Sequence, residues 1–236
     1  MWFLERNQKS IGFIDAAPYV KQDVFISLDP VTGRPSYDES KKPRTGVGAH
    51  FCPSHWGGKD WPPAAFNPKT RLLYIPANDN VCAYMIGESV EYREGREFMG
   101  TDWEESILEL TDEADDYIGE LQAWNVDTRE KVWSHRFANQ NWGPVLATAG
   151  NLVFMGGTSD RYFRAFNAKN GRLLWQQRTN SGVTGVPTSF EVDGKQYVAV
   201  LSGWGVDAQR ESDSLTRIGR PPQLVPQGGV LWVFGL

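Results

Sequence analysis

One segment of the chain, residues 121–203, contains the same pattern twice. Residues 121–133 (LQAWNVDTREKVW) and 163–175 (FRAFNAKNGRLLW) align without a gap, so their closing tryptophans are 42 residues apart. Each copy is followed by residues that favour a turn and then by residues that favour a β-strand, at 150–156 and 193–200. A period of about 42 residues with four short strands per unit is typical of a β-propeller blade.

The repeated tryptophans have a physical role in such a fold. A blade is a small sheet that cannot bury its faces alone, so we expect the rings of Trp133 and Trp175 to occupy equivalent positions against the neighbouring blade. The sequence therefore predicts an all-β chain, with residues 1–236 forming a single partial β-propeller domain of four-stranded blades. At about 42 residues per blade, we expect an incomplete arc of about four blades that begins in mid-domain.

Two stretches depart from the repeat. Residues 85–119, approximately, form an excursion rich in acidic residues, with one short helix expected in it. A cation-binding loop is conceivable there, but the spacing lacks the ordered ligands and sharp-turn glycine of a calcium loop, so a solvated surface is the favoured interpretation. After Gly203, the polar and proline-containing sequence through Pro222 predicts a loop before a last strand at residues 228–236.

Composition excludes several functions. The net charge of −5 argues against a general nucleic-acid binder, because phosphate contacts need a basic surface. No window reaches the roughly 18 apolar residues of a membrane span, and the first residues lack the pattern of a signal peptide. Hydrolase, P-loop and Rossmann motifs are absent from the sequence, so those activities have no support.

Cys52 and Cys82 are the two cysteines, 30 residues apart. A disulfide would close a loop of that length and add about 3–4 kcal/mol of stability. Two unpaired thiols are the first alternative. The second is a metal site at His50, Cys52 and His55, but that spacing gives only a partial zinc site with no fourth ligand.

Three long motifs resemble one family. They are residues 51–78 (FCPSHWGGKDWPPAAFNPKTRLLYIPAN), 142–154 (WGPVLATAGNLVF) and 163–175, in that order. They are similar to the C-terminal half of the quinoprotein alcohol dehydrogenases, which use pyrroloquinoline quinone (PQQ). The resemblance implies a periplasmic enzyme with an eight-bladed propeller, with PQQ and a calcium or lanthanide ion on its axis. It also implies a small primary alcohol as substrate and a cytochrome c as electron acceptor.

The resemblance assigns roles by position. Arg6 matches the basic residue at the reactive quinone carbonyl, where a cation stabilises developing negative charge. Cofactor contacts are implied for Asn78, for Trp142, and for Gly203 and Trp204 in a late loop. Cys52 and Cys82 match a family disulfide.

The family's metal ligands and catalytic base precede the region where Met1 begins, so none is assigned here. No Cys-x-x-Cys-His haem motif follows the last predicted strand. We therefore expect the chain alone to be inactive. The alternative is a non-catalytic propeller scaffold of the kind used in outer-membrane assembly, which shares the stacked-tryptophan repeat but has no reason to bring Arg6, Asn78 and Trp142 together.

Overall fold

The computed structural model describes residues 1–6, 10–95, 99–101 and 105–236. Strands dominate them, with one α-helix, α1 (Val206–Arg217), and two short 3-10 helices at Glu39–Lys41 and Asp112–Asp115. No helix of these residues is long and apolar enough to cross a membrane. The strands are β1 (Trp2–Arg6), β2 (Ile11–Ala16), β3 (Phe25–Leu28), β4 (Pro35–Tyr37), β5 (Gly48–Phe51), β6 (Ala65–Asn67), β7 (Leu72–Asn78), β8 (Val81–Ile86), β9 (Ile107–Leu110), β10 (Gly119–Asn125), β11 (Lys131–Phe137), β12 (Val145–Ala147), β13 (Leu152–Met155), β14 (Tyr162–Asn167), β15 (Leu173–Arg178), β16 (Thr188–Val192), β17 (Lys195–Ser202) and β18 (Val230–Gly235).

The chain divides into two compact units. The first comprises Met1–Gly58 and Asp79–Ala114 and contains the antiparallel pairs β1-β2 and β3-β4 and the three-stranded sheet β5-β8-β9. The second comprises Lys59–Asn78 and Asp115–Leu236 and contains two four-stranded sheets, β11-β10-β7-β6 and β12-β13-β14-β15, and the sheet β16-β17-β18. The predicted four-stranded blades are thus present in the second unit.

One five-residue turn joins strand pairs in both units. Its first residue is Asn or Asp, whose side-chain oxygen accepts the backbone N–H two residues on, as an Asx turn does. Its fifth residue has a positive φ of 60–70° and donates its N–H to the first carbonyl. The four turns begin at Asp29, Asn67, Asn125 and Asn167.

The 42-residue repeat is confirmed by strand register. Trp133 lies opposite Ala123 across β11 and β10, and Trp175 lies opposite Ala165 across β15 and β14. A register shift follows the alanine in both pairs. The indole of Trp133 donates to the Ala168 carbonyl at 3.0 Å, in a turn of the next sheet, so it joins two blades as expected.

Apolar side chains fill the spaces between the sheets of the second unit. Tyr74, Leu121 and Trp133 on one sheet pack with Val153 and Phe166 on the next. Phe154 and Phe163, on the β12–β15 sheet, pack in the same way with Val198 and Val200 on β17. These face-to-face cores are the burial that a single blade cannot achieve alone.

The predicted loop after Gly203 is wrong for residues 206–217, which form helix α1. The excursion contains strand β9 and the 3-10 helix Asp112–Asp115, the short helix expected there. Two of its carboxylates contact basic side chains: Glu113 forms an ion pair with Lys21 at 2.9 Å, and Glu109 lies at hydrogen-bond distance, 2.8 Å, from His50 Nδ1. Asp102 and Glu104, also in this acidic run, lie outside the described residues.

Candidate functional site

Asn78 and Asn141 form a buried pair that positions the loop between β11 and β12. The Asn141 N–H donates to Asn78 Oδ1 at 2.7 Å, and Asn78 Nδ2 donates back to the Asn141 carbonyl at 3.1 Å. The Asn141 side chain donates to the Glu120 carbonyl and accepts the Gly143 N–H. The two side-chain amides therefore form hydrogen bonds with backbone groups that have no partner strand in this loop.

Trp142 follows directly and is held by backbone contacts on both sides. Its N–H donates to the Gly157 carbonyl at 2.7 Å. A Cβ on Gly143 would come within 1.9 Å of the Gly156 carbonyl oxygen, so only glycine permits this close approach. The Trp142 ring is 2% exposed.

Trp204 packs into the same cluster as Trp142, together with Ala208 and Val225. It follows Gly203, whose N–H donates to the Gly182 carbonyl at 2.7 Å. The Trp204 ring packs closely against Gly182, where a Cβ would be 2.0 Å from ring atom Cε3. Its buried Nε1 has no hydrogen-bond partner among the described residues.

Helix α1 contributes to this cluster through one face, formed by Ala208, Ser212 and Leu215. Ser212 Oγ accepts from Gln140 Nε2 at 2.8 Å and donates to the Ala208 carbonyl at 3.0 Å. Gln140 is fully buried, and its Oε1 has no partner in the described part of the chain. Gln140 and Ser212 cannot be identified from the sequence, because neither belongs to a motif and their contact depends on helix α1, where the sequence predicts a loop.

Glu211 of the same helix is the most perturbed acid of this region. Burial raises the pKa of its carboxyl to about 8, and the negative charges of Asp60 and Asp207 add to the shift. Its Oε2 is buried without a partner among the described residues. At neutral pH this side chain is therefore mostly protonated.

A second buried polar set lies on β10. Glu120 accepts from Gln122, and Gln122 accepts the Trp124 indole N–H. The fully buried Glu120 carboxylate lies 3.7 Å from both Lys131 Nζ and Arg136 Nε. Because the Glu120 carbonyl also accepts from Asn141, this set adjoins the Asn78–Asn141 pair.

Four of the five cofactor residues implied by the resemblance lie in the second unit. Asn78 reaches Trp142 through Asn141, and Trp142 and Trp204 share one cluster, with Gly203 beside them. Arg6 lies in the first unit as the exposed last residue of β1, opposite Ile11.

The cysteines also lie in the first unit. Cys52 and Cys82 form a disulfide with their Cα atoms 4.3 Å apart, as the resemblance implied. The pairing removes Cys52 from the alternative zinc site. In the described ranges 1–6, 10–95, 99–101 and 105–236, no three His, Cys, Asp or Glu side chains form a group that could hold a metal ion.

Comparison with known proteins identifies the family. Residues 32–198 match the family model described as the β-propeller domain of glucose, ethanol and alcohol dehydrogenases that use PQQ. The chain belongs to this PQQ β-propeller family. It is 35% identical to the quinoprotein alcohol dehydrogenase PedH of Pseudomonas putida and 36% identical to the quinoprotein ethanol dehydrogenase of Pseudomonas aeruginosa. These matches cover 95% and 94% of this chain but only 37% and 35% of the relatives, so the chain spans about a third of their length.

Solved structures agree with this family assignment. A europium-containing methanol dehydrogenase superposes with a TM-score of 0.82 at 34% identity, over 95% of this chain and 41% of that one. Among the sequence relatives, a lanthanide-dependent methanol dehydrogenase of Methylacidiphilum fumariolicum is 36% identical over 84% of this chain and 32% of its own length. The predicted propeller class is therefore confirmed.

The second-unit cluster has donor chemistry that fits part of a PQQ site. PQQ is a flat, polyanionic quinone, so its site needs N–H donors and close approach of the backbone. The unpartnered Trp204 Nε1 supplies a buried donor, and such a group in a native fold calls for a ligand or water. A Cβ at Gly203 would meet nothing within 4 Å, so there is open space at this backbone position.

Proposed function

We propose that the chain is the C-terminal part of a PQQ-dependent alcohol dehydrogenase that oxidises a primary alcohol to an aldehyde. The supporting observation is its 35–36% identity, over 93–99% of its length, to four relatives named as quinoprotein alcohol or ethanol dehydrogenases. Relatives named for 1-butanol and for methanol support a small alcohol as the substrate.

PQQ, when bound, would supply the chemistry by accepting two electrons from the alcohol. Trp204 would donate its indole N–H to the cofactor, and Gly203 would let the backbone approach it. Asn78 would offer the amide N–H that its bond to Asn141 leaves free, and Trp142 would form part of the apolar wall. The calcium or lanthanide ion of such an enzyme would be held by residues outside this chain, as would the catalytic base.

Arg6 is the proposed catalytic residue of this chain. A guanidinium is permanently charged, so it would stabilise an oxygen of the cofactor that gains negative charge during reduction. Exposed at the end of β1, Arg6 has no side-chain hydrogen bond within the described chain that would compete with this role.

The test is made in a chimera that joins this chain to the preceding part of the Pseudomonas aeruginosa relative. Removing one donor to a developing oxyanion costs about 10²-fold in turnover, so Arg6→Ala should lower kcat by about that factor while PQQ stays bound. Arg6→Lys should recover part of the loss, because lysine keeps the positive charge but lacks the planar guanidinium group.

Arg34→Ala is the matched control, since Arg34 is also an exposed arginine of the first unit. It should leave kcat unchanged. A kcat for Arg6→Ala within about threefold of the parent, with PQQ occupancy confirmed, would contradict the assignment of Arg6.

We also propose that the protein works in the periplasm and passes its electrons to a cytochrome c. The Cys52–Cys82 disulfide supports an oxidising compartment. The chain by itself, without the base and the metal ligands, would not oxidise alcohols.

A further inference from the structure

A cleft of about 480 Å³ lies on the second unit, away from the candidate cofactor residues. It is bordered by Lys69 and Thr70, which precede β7, whereas Asn78 ends that strand. A seven-residue strand is about 20 Å long, so the cleft and Asn78 lie at opposite ends of β7. The cleft is therefore separate from the proposed PQQ site.

The charged lining comes from two copies of the repeated turn. Lys69 and Lys169 are the third residues of the turns that begin at Asn67 and Asn167, and the cleft brings them together. Neither ammonium forms an ion pair within the described residues. Lys69 Nζ reaches the Ala149 carbonyl only at 3.5 Å.

Two asparagine amides complete the polar lining. Asn125 Oδ1 already accepts the N–H groups of Asp127 and Thr128, at 2.8 and 3.0 Å, so its NH₂ remains as a donor. Asn151 is held at φ +62° and its side chain makes no hydrogen bond to the described chain. Both amides can therefore donate into the cleft.

No acidic side chain lines the cleft. The acid on the adjoining turn, Asp127, is already engaged by Arg71 through two bonds of 2.8 and 2.6 Å. The whole chain has a net charge of −5, so a cleft lined by two lysines and no carboxylate is not a consequence of a basic surface. Such a set favours a ligand that carries negative charge.

We propose that the cleft binds a small organic polyoxyanion, a phosphate ester or a polycarboxylate. Its oxygens would accept from the Lys69 and Lys169 ammoniums and from the two asparagine amides. The volume exceeds that of a single inorganic anion, and Leu72 and Val132 give the cleft an apolar part for the body of the ligand.

Binding is tested by calorimetry on the intact chain at low ionic strength. Glycerol phosphate represents the phosphate esters and citrate represents the polycarboxylates. Glycerol is the neutral comparison. We expect saturable binding of at least one anion, weakened by added salt, and none of glycerol. Lys69→Ala and Lys169→Ala should each weaken it by about tenfold or more, which corresponds to the loss of one charge-assisted bond.

Two further variants make the test specific. Lys195→Ala removes the same charge from an exposed lysine on β17 and should leave affinity within about twofold, because a distant surface charge is screened. Asn151→Asp tolerates the positive φ but puts a carboxylate in the cleft, so binding should be lost. The proposal is overturned if neither anion saturates the chain, or if Lys195→Ala weakens binding as much as Lys69→Ala.

Discussion

Gly182 fixes the position of the Trp204 indole, because a Cβ there would lie 2.0 Å from Cε3 and 2.6 Å from Cζ3. Gly182→Ala should therefore displace the ring and destabilise the fold by about 1–3 kcal/mol, as overpacking a core does. Urea unfolding measures the change. Gly203→Ala is the control, since its Cβ meets nothing within 4 Å and its stability should change by less than about 0.5 kcal/mol. Equal losses for both variants would contradict the packing described for Trp204.

Trp133 and Trp175 are equivalent in the repeat but not in burial. Trp133 is 9% exposed and bonds to Ala168, whereas Trp175 is 38% exposed and meets the Phe234 ring edge-on at 5.0 Å. Trp133→Ala should cost about 3–5 kcal/mol and Trp175→Ala clearly less, since less apolar area is lost. Denaturant melts of the two variants make the comparison. A larger loss for Trp175→Ala would mean that Trp133 is not the main contact between blades.

Single residues were predictable where a motif contains them. Asn78 and Trp142 lie in motifs that carry the family resemblance, and Trp204 lies in the late loop, whereas three residues that pack beside them belong to no motif: Asn141, Gln140 and Ser212. Asn141 joins Asn78 across 63 residues, and Gln140 joins Ser212 across 72. Pairings over such distances leave no local pattern, because they depend on how loops from different strands meet.

At the scale of elements, strands were predictable and helix α1 was not. The strands alternate or carry long apolar runs, and their turns contain Asn, Asp or Gly at fixed positions. The buried face of α1 is formed by Ala208, Ser212 and Leu215, of which only leucine is strongly apolar. A helix buried through small side chains lacks the apolar periodicity by which helices are detected.

Glu211 makes the stability of this element dependent on pH. Its folded-state pKa of about 8 lies above the usual 4.5, because of burial and of Asp60 and Asp207. Between these values the folded state holds a proton that the unfolded state has released, so stability falls as pH rises from 4.5 to 8. Glu211→Gln should therefore melt at a higher temperature than the parent at pH 8, with the difference disappearing near pH 4.5.

Asp213→Asn serves as the control for this experiment, because Asp213 is an exposed carboxylate on the same helix. Thermal melts of both variants across this pH range are followed by circular dichroism. A Glu211→Gln difference that stays constant between pH 4.5 and 8 would show that this carboxyl titrates normally in the folded protein.

For the whole molecule, the 42-residue repeat predicted the β-propeller class, and the family match over residues 32–198 agrees with it. The metal ligands and the base of the proposed enzyme could not be predicted, because the chain spans only about a third of its relatives. A cofactor site on the axis of a propeller would be formed by several blades, so a chain of this length would supply only some of its residues.

The central claim is that this chain supplies a working part of a PQQ site, and the chimera with the Pseudomonas aeruginosa relative tests it most directly. PQQ bound per molecule and PQQ-dependent ethanol oxidation are measured on protein whose melting curve shows that it is folded. We predict that the chimera retains PQQ and oxidises ethanol, and that the isolated chain under the same conditions does not. A folded chimera that holds no PQQ would contradict the claim.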